Sequence, residues 1–443
     1  MGSLRFKEKF GYGFGDLANN LIFNSVTTYL MFFYTDHVGL SAATASTLFL
    51  VARIWDAVSD PMMGALADRT RTRWGRFRPY LLLVPVPFAV IAVLTYSSPD
   101  LGATGKVAWA CLTYFLLMTL YTAVNIPYAS LAATMTRDPD ERAQLTTFRM
   151  IFSFGGGMIV NLITLPLVYW WAGSAAEGGD QIGGYRFAII VLAGLSIVFY
   201  WLCFALTRER TRPDASIAHD LRAEIRLVTT SRAWWMLLGM GISMFALGIF
   251  PFYVGMYFLK YVFLKETFAS SYFTLCTLGM LAGALMNLAL VRRYDRRLLA
   301  VGAGIWGAVF SLGIYLVAPG NTVLLGLFAF LSFMGTGIGA PNLWAMVGDT
   351  ADDIERRSGR QIAGLTSAAV SFSMKLGLGI GGAAVGYILA AYGFQPNVAA
   401  APATQGGILM MTGLFPAIGY LLLSLFAFGF PRPTGAVAPV TAA

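Results

Sequence analysis

Arg53, Asp56 and Asp60 lie three and four residues apart, in a stretch whose neighbours belong in a bilayer. Residues 42–52, just before them, carry no charge. That spacing puts the three side chains on one face of a helix. A carboxylate at membrane depth costs roughly 2.5–3.5 kcal/mol on insertion scales and is kept for a purpose. The available purposes are binding a cation, relaying a proton or closing an ion pair. An ion pair with Arg53 accounts for Asp56 and leaves Asp60 over. Arg149 and Lys375 are also charges inside apolar segments, and function is the default reading of such groups. Neutralising a nearby acid is the plainer alternative for Lys375.

The elements that must position these groups are membrane helices. The 443-residue chain is 57% hydrophobic and 12% charged, against roughly 25% charged for a soluble protein. Twelve segments are long and apolar enough to span a bilayer: about 10–35, 41–67, 80–97, 106–134, 144–171, 185–206, 233–260, 269–291, 298–317, 322–348, 362–391 and 406–430. The expected fold is an all-α membrane protein. Residues 1–206 form one six-helix bundle, 207–232 a linker, 233–430 a second bundle and 431–443 a tail. A basic cluster follows the second span of each half, Arg69–Arg73 and Arg292–Arg297, which fits an internal repeat.

Charge sets the orientation. Lys106, Arg186, Lys260 and Lys265 are the basic residues of one set of loops. Apart from the three inside spans, all other lysines and arginines lie on the opposite side, which places both termini in the cytoplasm. The net charge of +9 is therefore a topogenic signal and not a nucleic-acid footprint. Cys111, Cys203 and Cys276 sit in apolar segments and imply no disulfide framework. With two histidines and no HExxH or CxxC motif, hydrolytic metal chemistry is not expected, nor is an enzyme or a bound cofactor. The glycine runs 155–157 and 377–382 follow no strand and fit close helix packing better than nucleotide binding.

The run Gly64-Ala-Leu66-Ala-Asp68-Arg69-Thr-Arg71-Thr-Arg73 resembles the loop motif of the major facilitator superfamily. Within it, the chain resembles the glycoside–pentoside–hexuronide:cation symporters. The resemblance rests on Tyr12-Gly-Phe-Gly-Asp16-Leu-Ala-Asn19-Asn20, Phe33-Tyr34-Thr35-Asp36, Val51-Ala-Arg53-Ile-Trp55-Asp56-Ala57, Arg73-Trp-Gly-Arg-Phe-Arg-Pro79, Tyr121-Thr-Ala-Val-Asn125-Ile-Pro127-Tyr128 and Arg149. It implies a monomeric symporter of the bacterial inner membrane that moves a sugar or glycoside inward by alternating access. Asp56 and Asp60 would couple transport to a cation, with Ser59 and Thr122 as further ligands. Sodium suits such a set of hard oxygens and is the expected ion. The alternative is a proton on a buried carboxyl.

On the sugar side, the resemblance points to Asp16, Asn20, Tyr121, Asn125, Arg149, Trp344 and Lys375. Asn20 and Asn125 stand where the melibiose-carrying members have acids, and Trp344 matches the glucuronide-carrying members. Two acids fewer beside two retained cations suit an anionic sugar such as a uronide, because Arg149 can grip a carboxylate bidentately. A neutral sugar requires that Asp16 neutralise Arg149 or that hydroxyls satisfy it. A different class, a carrier of lysolipids or other amphiphiles, would use the same cations for a headgroup. For gating, basic Arg69, Arg73 and Arg76 are expected to face acidic Asp349, Asp352 and Glu355 across the halves when the cytoplasmic side closes.

Overall fold

A second helix that must face both lipid and a polar interior sorts its residues by period. In α2 (Ala42–Arg69), Val51, Ile54, Val58, Met62 and Leu66 form an exposed apolar stripe, while Ala52, Asp56, Ser59, Met63 and Ala67 are buried. The stripe has the 3–4 spacing of one helix face, which turns the carboxylates inward.

The structure is a computed structural model. It describes residues 4–136, 138–173, 179–210, 227–317, 319–358 and 363–431, and it leaves out the side chains of residues 57, 139, 140, 143, 352, 355, 357, 358 and 363–369. Around α2 in the first half run α1 (Phe6–Ser25), α3 (Arg78–Leu83), α4 (Pro85–Thr95), α5 (Ala103–Met135), α6 (Pro139–Ala172) and α7 (Gln181–Leu206). The second half contains α8 (Arg232–Ile242), α9 (Phe250–Tyr257), α10 (Ala269–Leu290), α11 (Arg296–Leu316), α12 (Thr322–Ser358), α13 (Ala363–Ala391), α14 (Pro402–Leu409) and α15 (Phe415–Gly429). No strand occurs among the described residues. A lone bridge between Thr72 and Gly75 closes a turn.

These helices make twelve traversals. Among the described residues, nine helical runs are by themselves long and apolar enough to cross a membrane. The other three are α1, which carries polar residues and continues through π-helical turns to Val38; α2, with its charges; and the α3–α4 run, broken at Pro85. Proline has no N–H to extend the ladder, so the 80–97 span is a short helix followed by an 11-residue one. The expected 233–260 span is likewise α8, a π-helical stretch Ser243–Gly248 and α9. Residues 211–226 of the expected linker lie outside the described residues.

Each half packs mainly on itself: α1 against α6 and α7, and α12 against α10 and α11. The halves meet chiefly through α2 with α13 and α6 with α10. The α2–α13 seam is tight because α13 offers glycine there. A Cβ at Gly386 would collide with Ala42, Met31 and Ser46, and one at Gly379 would press on the Arg53 stem. Asn161 of α6 donates to Thr277 Oγ1 (2.9 Å) and to the carbonyl of Phe273 (3.3 Å) of α10, and Ser270 donates to the carbonyl of Asn161 (2.7 Å). All these contacts lie in the half of the molecule away from the basic loops, toward what is called here the distal pole. The opposite end, with Arg69–Arg78 and Glu209, is the basic pole.

Candidate functional site

The Arg53–Asp56–Asp60 face of α2 meets α5 and α13. Arg53 Nη1 donates to Asp56 Oδ2 at 3.1 Å, and the Arg53 guanidinium lies 5.9 Å from the Phe23 ring centroid. Asp56 is buried, and its other oxygen, Oδ1, has no hydrogen-bond partner. A carboxylate oxygen left bare in the interior is costly, and either a bound cation or a proton offsets it. Thr122 Oγ1 of α5 donates to Asp60 Oδ1 at 3.1 Å. Asp60 Oδ2 is ion-paired with Lys375 Nζ of α13. Ser59 is buried and donates weakly to the Asp56 carbonyl at 3.4 Å. Pro61 and Pro127 interrupt the ladders of α2 and α5 close by. The fold therefore brings the four expected cation ligands together and adds Lys375, which the sequence reading put with the sugar.

Nearer the basic pole, α1 and α6 hold a second pair. Arg149 Nε lies 3.5 Å from Asp16 Oδ2, and its guanidinium sits 5.7 Å from the Tyr128 ring. Asp16 is buried, while the Arg149 side chain is 37% exposed, so the guanidinium keeps an open edge. Glycine in α6 lets α1 approach: a Cβ at Gly156 would touch Asn20 and the Leu17 backbone. Asn20 Nδ2 donates back to the Asp16 carbonyl at 2.8 Å.

Asn19 is the polar hub between the two pairs. Its Nδ2 donates to Asn125 Oδ1 (3.3 Å) and to the Tyr121 hydroxyl (3.4 Å), and its Oδ1 accepts from the Tyr200 hydroxyl (3.1 Å). Tyr121 stacks on Phe23 with centroids 5.4 Å apart. Asp16, Asn20, Tyr121, Asn125 and Arg149 are thus brought together in the first half. Trp344 is not joined to them by any contact described; it packs on a second-half cluster that includes Met240, Met346 and Val370. Sequence reasoning left Asn19 and Tyr200 out of the site. Asn19 carried a signal, since it stands in the Asp16-to-Asn20 motif. Tyr200, one aromatic among many in an apolar span, carried none.

Among the described gating residues, no ion pair joins the two halves. Asp349 pairs with Arg296 of its own half at 2.8 Å, and the Arg73 guanidinium lies 4.5 Å from the Trp74 ring. Arg69 is exposed. The 69–78 loop is held instead by Glu209, whose carboxylate accepts the backbone N–H groups of Arg76, Phe77 and Arg78 at 2.8–3.0 Å. The side chains of Asp352 and Glu355 lie outside the described residues.

The membrane-embedded acids and bases balance: Asp16, Asp56 and Asp60 face Arg149, Arg53 and Lys375. Such a paired, hydrogen-bonded interior, built from two helical halves, suits carriage of a polar solute. The comparisons agree. The family described as "MFS/sugar transport protein" matches residues 11–432. The chain is 34% identical to the isoprimeverose transporter of Lactiplantibacillus pentosus, over 94% of this chain and 87% of that one. It is 31% identical to the glucuronide carrier protein homolog of Escherichia coli (strain K12), over 95% and 91%. Its fold superposes on a D-xylose–proton symporter with a TM-score of 0.72 at 17% identity, covering 97% of this chain and 98% of that one. The chain is a multi-pass membrane transporter, not an enzyme, and belongs to the MFS/sugar transport family.

Proposed function

We propose that this carrier couples inward movement of an uncharged sugar or glycoside to sodium, by alternating access in the bacterial inner membrane, with both termini cytoplasmic. The observation that carries the reading is the charge balance of the site, with Asp56 Oδ1 left bare beside Asp60, Ser59 and Thr122. A single added cation fits there, and a proton needs fewer oxygens than are gathered. Sodium entering at Asp56 and Asp60 competes with the Lys375 ammonium for Asp60. Displaced, Lys375 turns its donors to a sugar hydroxyl, so ion and sugar favour each other's binding.

On the sugar side, Asp16 neutralises Arg149, and Asn20, Asn125 and Tyr121 supply neutral donors, acceptors and a ring face. An acidic sugar would have to break the Asp16–Arg149 pair to be gripped bidentately by Arg149. Isoprimeverose carries no charge, and its transporter supports this reading. The uronide alternative is favoured by the partial exposure of the Arg149 side chain and by the likeness to the glucuronide carrier protein homolog. The distal cross-half ties at Asn161, Ser270 and Gly386 support an inward-facing state, with the basic pole in the cytoplasm.

Proteoliposomes loaded through an imposed sodium or pH gradient test this. The expected result is sodium-driven accumulation of a neutral glycoside, with little uptake of the matching glucuronide. Accumulation driven by the pH gradient alone overturns the sodium assignment. Preference for the glucuronide overturns the neutral-substrate assignment.

A further inference from the structure

The motif Phe33-Tyr34-Thr35-Asp36 takes no part in the site above, yet Asp36 is a fully buried acid at the distal end of the first traversal. Beyond its neighbour Thr35, which donates to Oδ2 at 2.9 Å, its partners come from the other half. Lys260 Nζ donates to Asp36 Oδ1 at 2.8 Å, and the Tyr261 hydroxyl donates to the same oxygen. Asn397 Nδ2 donates to the Asp36 carbonyl at 2.7 Å. Asn397 also accepts from Lys260 through Oδ1 (2.7 Å) and gives its backbone N–H to the Tyr261 hydroxyl (2.7 Å). One turn deeper, the Thr35 and Tyr257 hydroxyls share a hydrogen bond at 2.7 Å.

Asn397 holds a left-handed backbone, φ +58°, which asparagine tolerates better than most residues. That conformation is kept where its backbone N–H and both side-chain amide atoms are spent on this cluster. Between the cluster and the Arg53–Asp56 pair lies a pocket lined from both halves, by Thr27, Met31, Phe49, Arg53, Tyr114 and Tyr253 among others. A charge pair joining the halves above a pocket that also joins them is arranged to seal it.

We propose that Asp36, Lys260, Tyr261 and Asn397 form a latch that keeps the extracellular side shut, and that outward opening requires its release. The second-half residues come from two separate segments, the end of the seventh traversal and the 392–401 loop. Separation of the halves therefore strips Asp36 of its cation and both other donors in one step. Those contacts are lost together, before water can replace them, which makes opening cooperative. The assignment rests on the alternating-access reading but not on the identity of ion or sugar.

The test places a single cysteine at the sealed pocket, Thr27→Cys, with Cys111, Cys203 and Cys276 replaced. An impermeant maleimide added outside intact cells reports opening. Lys260→Ala and Asn397→Ala are each expected to raise the labelling rate about tenfold. The exchanged pair, Asp36→Lys with Lys260→Asp, should bring it back toward the parent. An unchanged rate in both single variants overturns the latch. So does a fall in melting temperature without faster labelling, which would make the cluster mere packing. Labelling does not depend on transport: if the parent carrier accumulates no sugar yet Lys260→Ala labels faster, the substrate reading fails and the latch stands.

Discussion

The two halves share a helical plan and divide the chemistry unequally. In the first half, α1, α2, α5 and α6 carry Asp16, Asn19, Asn20, Arg53, Asp56, Asp60, Tyr121, Asn125 and Arg149. The second half brings one described charge to that site, Lys375, and otherwise offers packed surfaces such as Gly379 against Arg53. Its internal ties are of another kind: Ser311 with Ser332 at 2.7 Å, Thr336 with Tyr420 at 2.5 Å, and Asn342 with Asn287 at 2.8 Å, all buried and neutral. One half recognises, and the other closes over it. Coupling at the site then passes through the described ion pair that joins them there, Asp60 with Lys375.

The largest effect should come from the first half. Asp56→Asn or Asp60→Asn is expected to lower sodium-driven accumulation by at least about 100-fold, or roughly 2.7 kcal/mol of driving interaction. Equilibrium exchange of sugar across the membrane should be much less affected, since Asn19, Asn20 and Arg149 are untouched. Accumulation at parental levels in both variants would remove α2 from coupling and break the contrast between the halves.

Next comes the second half's one charge. If Lys375 competes with sodium for Asp60, then Lys375→Gln should tighten sodium binding about tenfold, or 1.4 kcal/mol, while slowing net uptake. The slowing follows because the empty carrier must return with Asp60 unpaired. Sodium titration of a cavity-facing tryptophan reporter decides between the readings. Weaker sodium binding in Lys375→Gln would make the lysine a supporting ligand and not a competitor.

A double-mutant cycle sharpens the recognition side. Arg149→Gln leaves the buried Asp16 charge unpaired and Asp16→Asn leaves Arg149 without its acid, and each should cut neutral-glycoside uptake by about tenfold. The combined variant restores neutrality and should recover to within about threefold of the parent. Additive losses would mean that Arg149 serves the sugar directly, as the uronide reading requires.

The sequence disclosed the membrane fold and the α2 carboxylates because both depend on local order: apolar length, and spacing along one helix. It located Arg149 for the same reason, as a charge where none should be. It did not disclose partners. Nothing in the run around Lys375 says that its ammonium reaches Asp60 and not a sugar, because that depends on which faces of α2 and α13 converge across the seam. Asp16 was legible as an acid beside Asn20 and ambiguous in role until α6 was seen to bring Arg149 within 3.5 Å. Tyr200 was invisible because a buried phenol that caps Asn19 looks, in sequence, like any aromatic in an apolar span. Trp344 was placed with the sugar by a motif match, and in the fold it is partly buried against a second-half cluster.

The smallest expected effect tests whether the basic pole shares the division of labour. Here Asp349 is spent on Arg296 within the second half, at 2.8 Å and with both side chains well exposed. Such a pair contributes about 0–1 kcal/mol. If the outward-facing state trades it for a contact with Arg69, Arg73 or Arg76, the two arrangements nearly cancel, and Asp349→Asn should shift the inward-to-outward ratio by less than about fivefold. Charge reversal at Asp349 adds repulsion from the first half's arginines in the closed arrangement only, so Asp349→Lys should favour the inward-facing state more strongly than Asp349→Asn. Spin-label distances between a position in the 69–78 loop and one on α12 read that ratio directly. Identical distance distributions for the parent and Asp349→Lys would show that this pole closes without its charges, and would leave the distal cluster around Asp36 as the electrostatic control of the cycle.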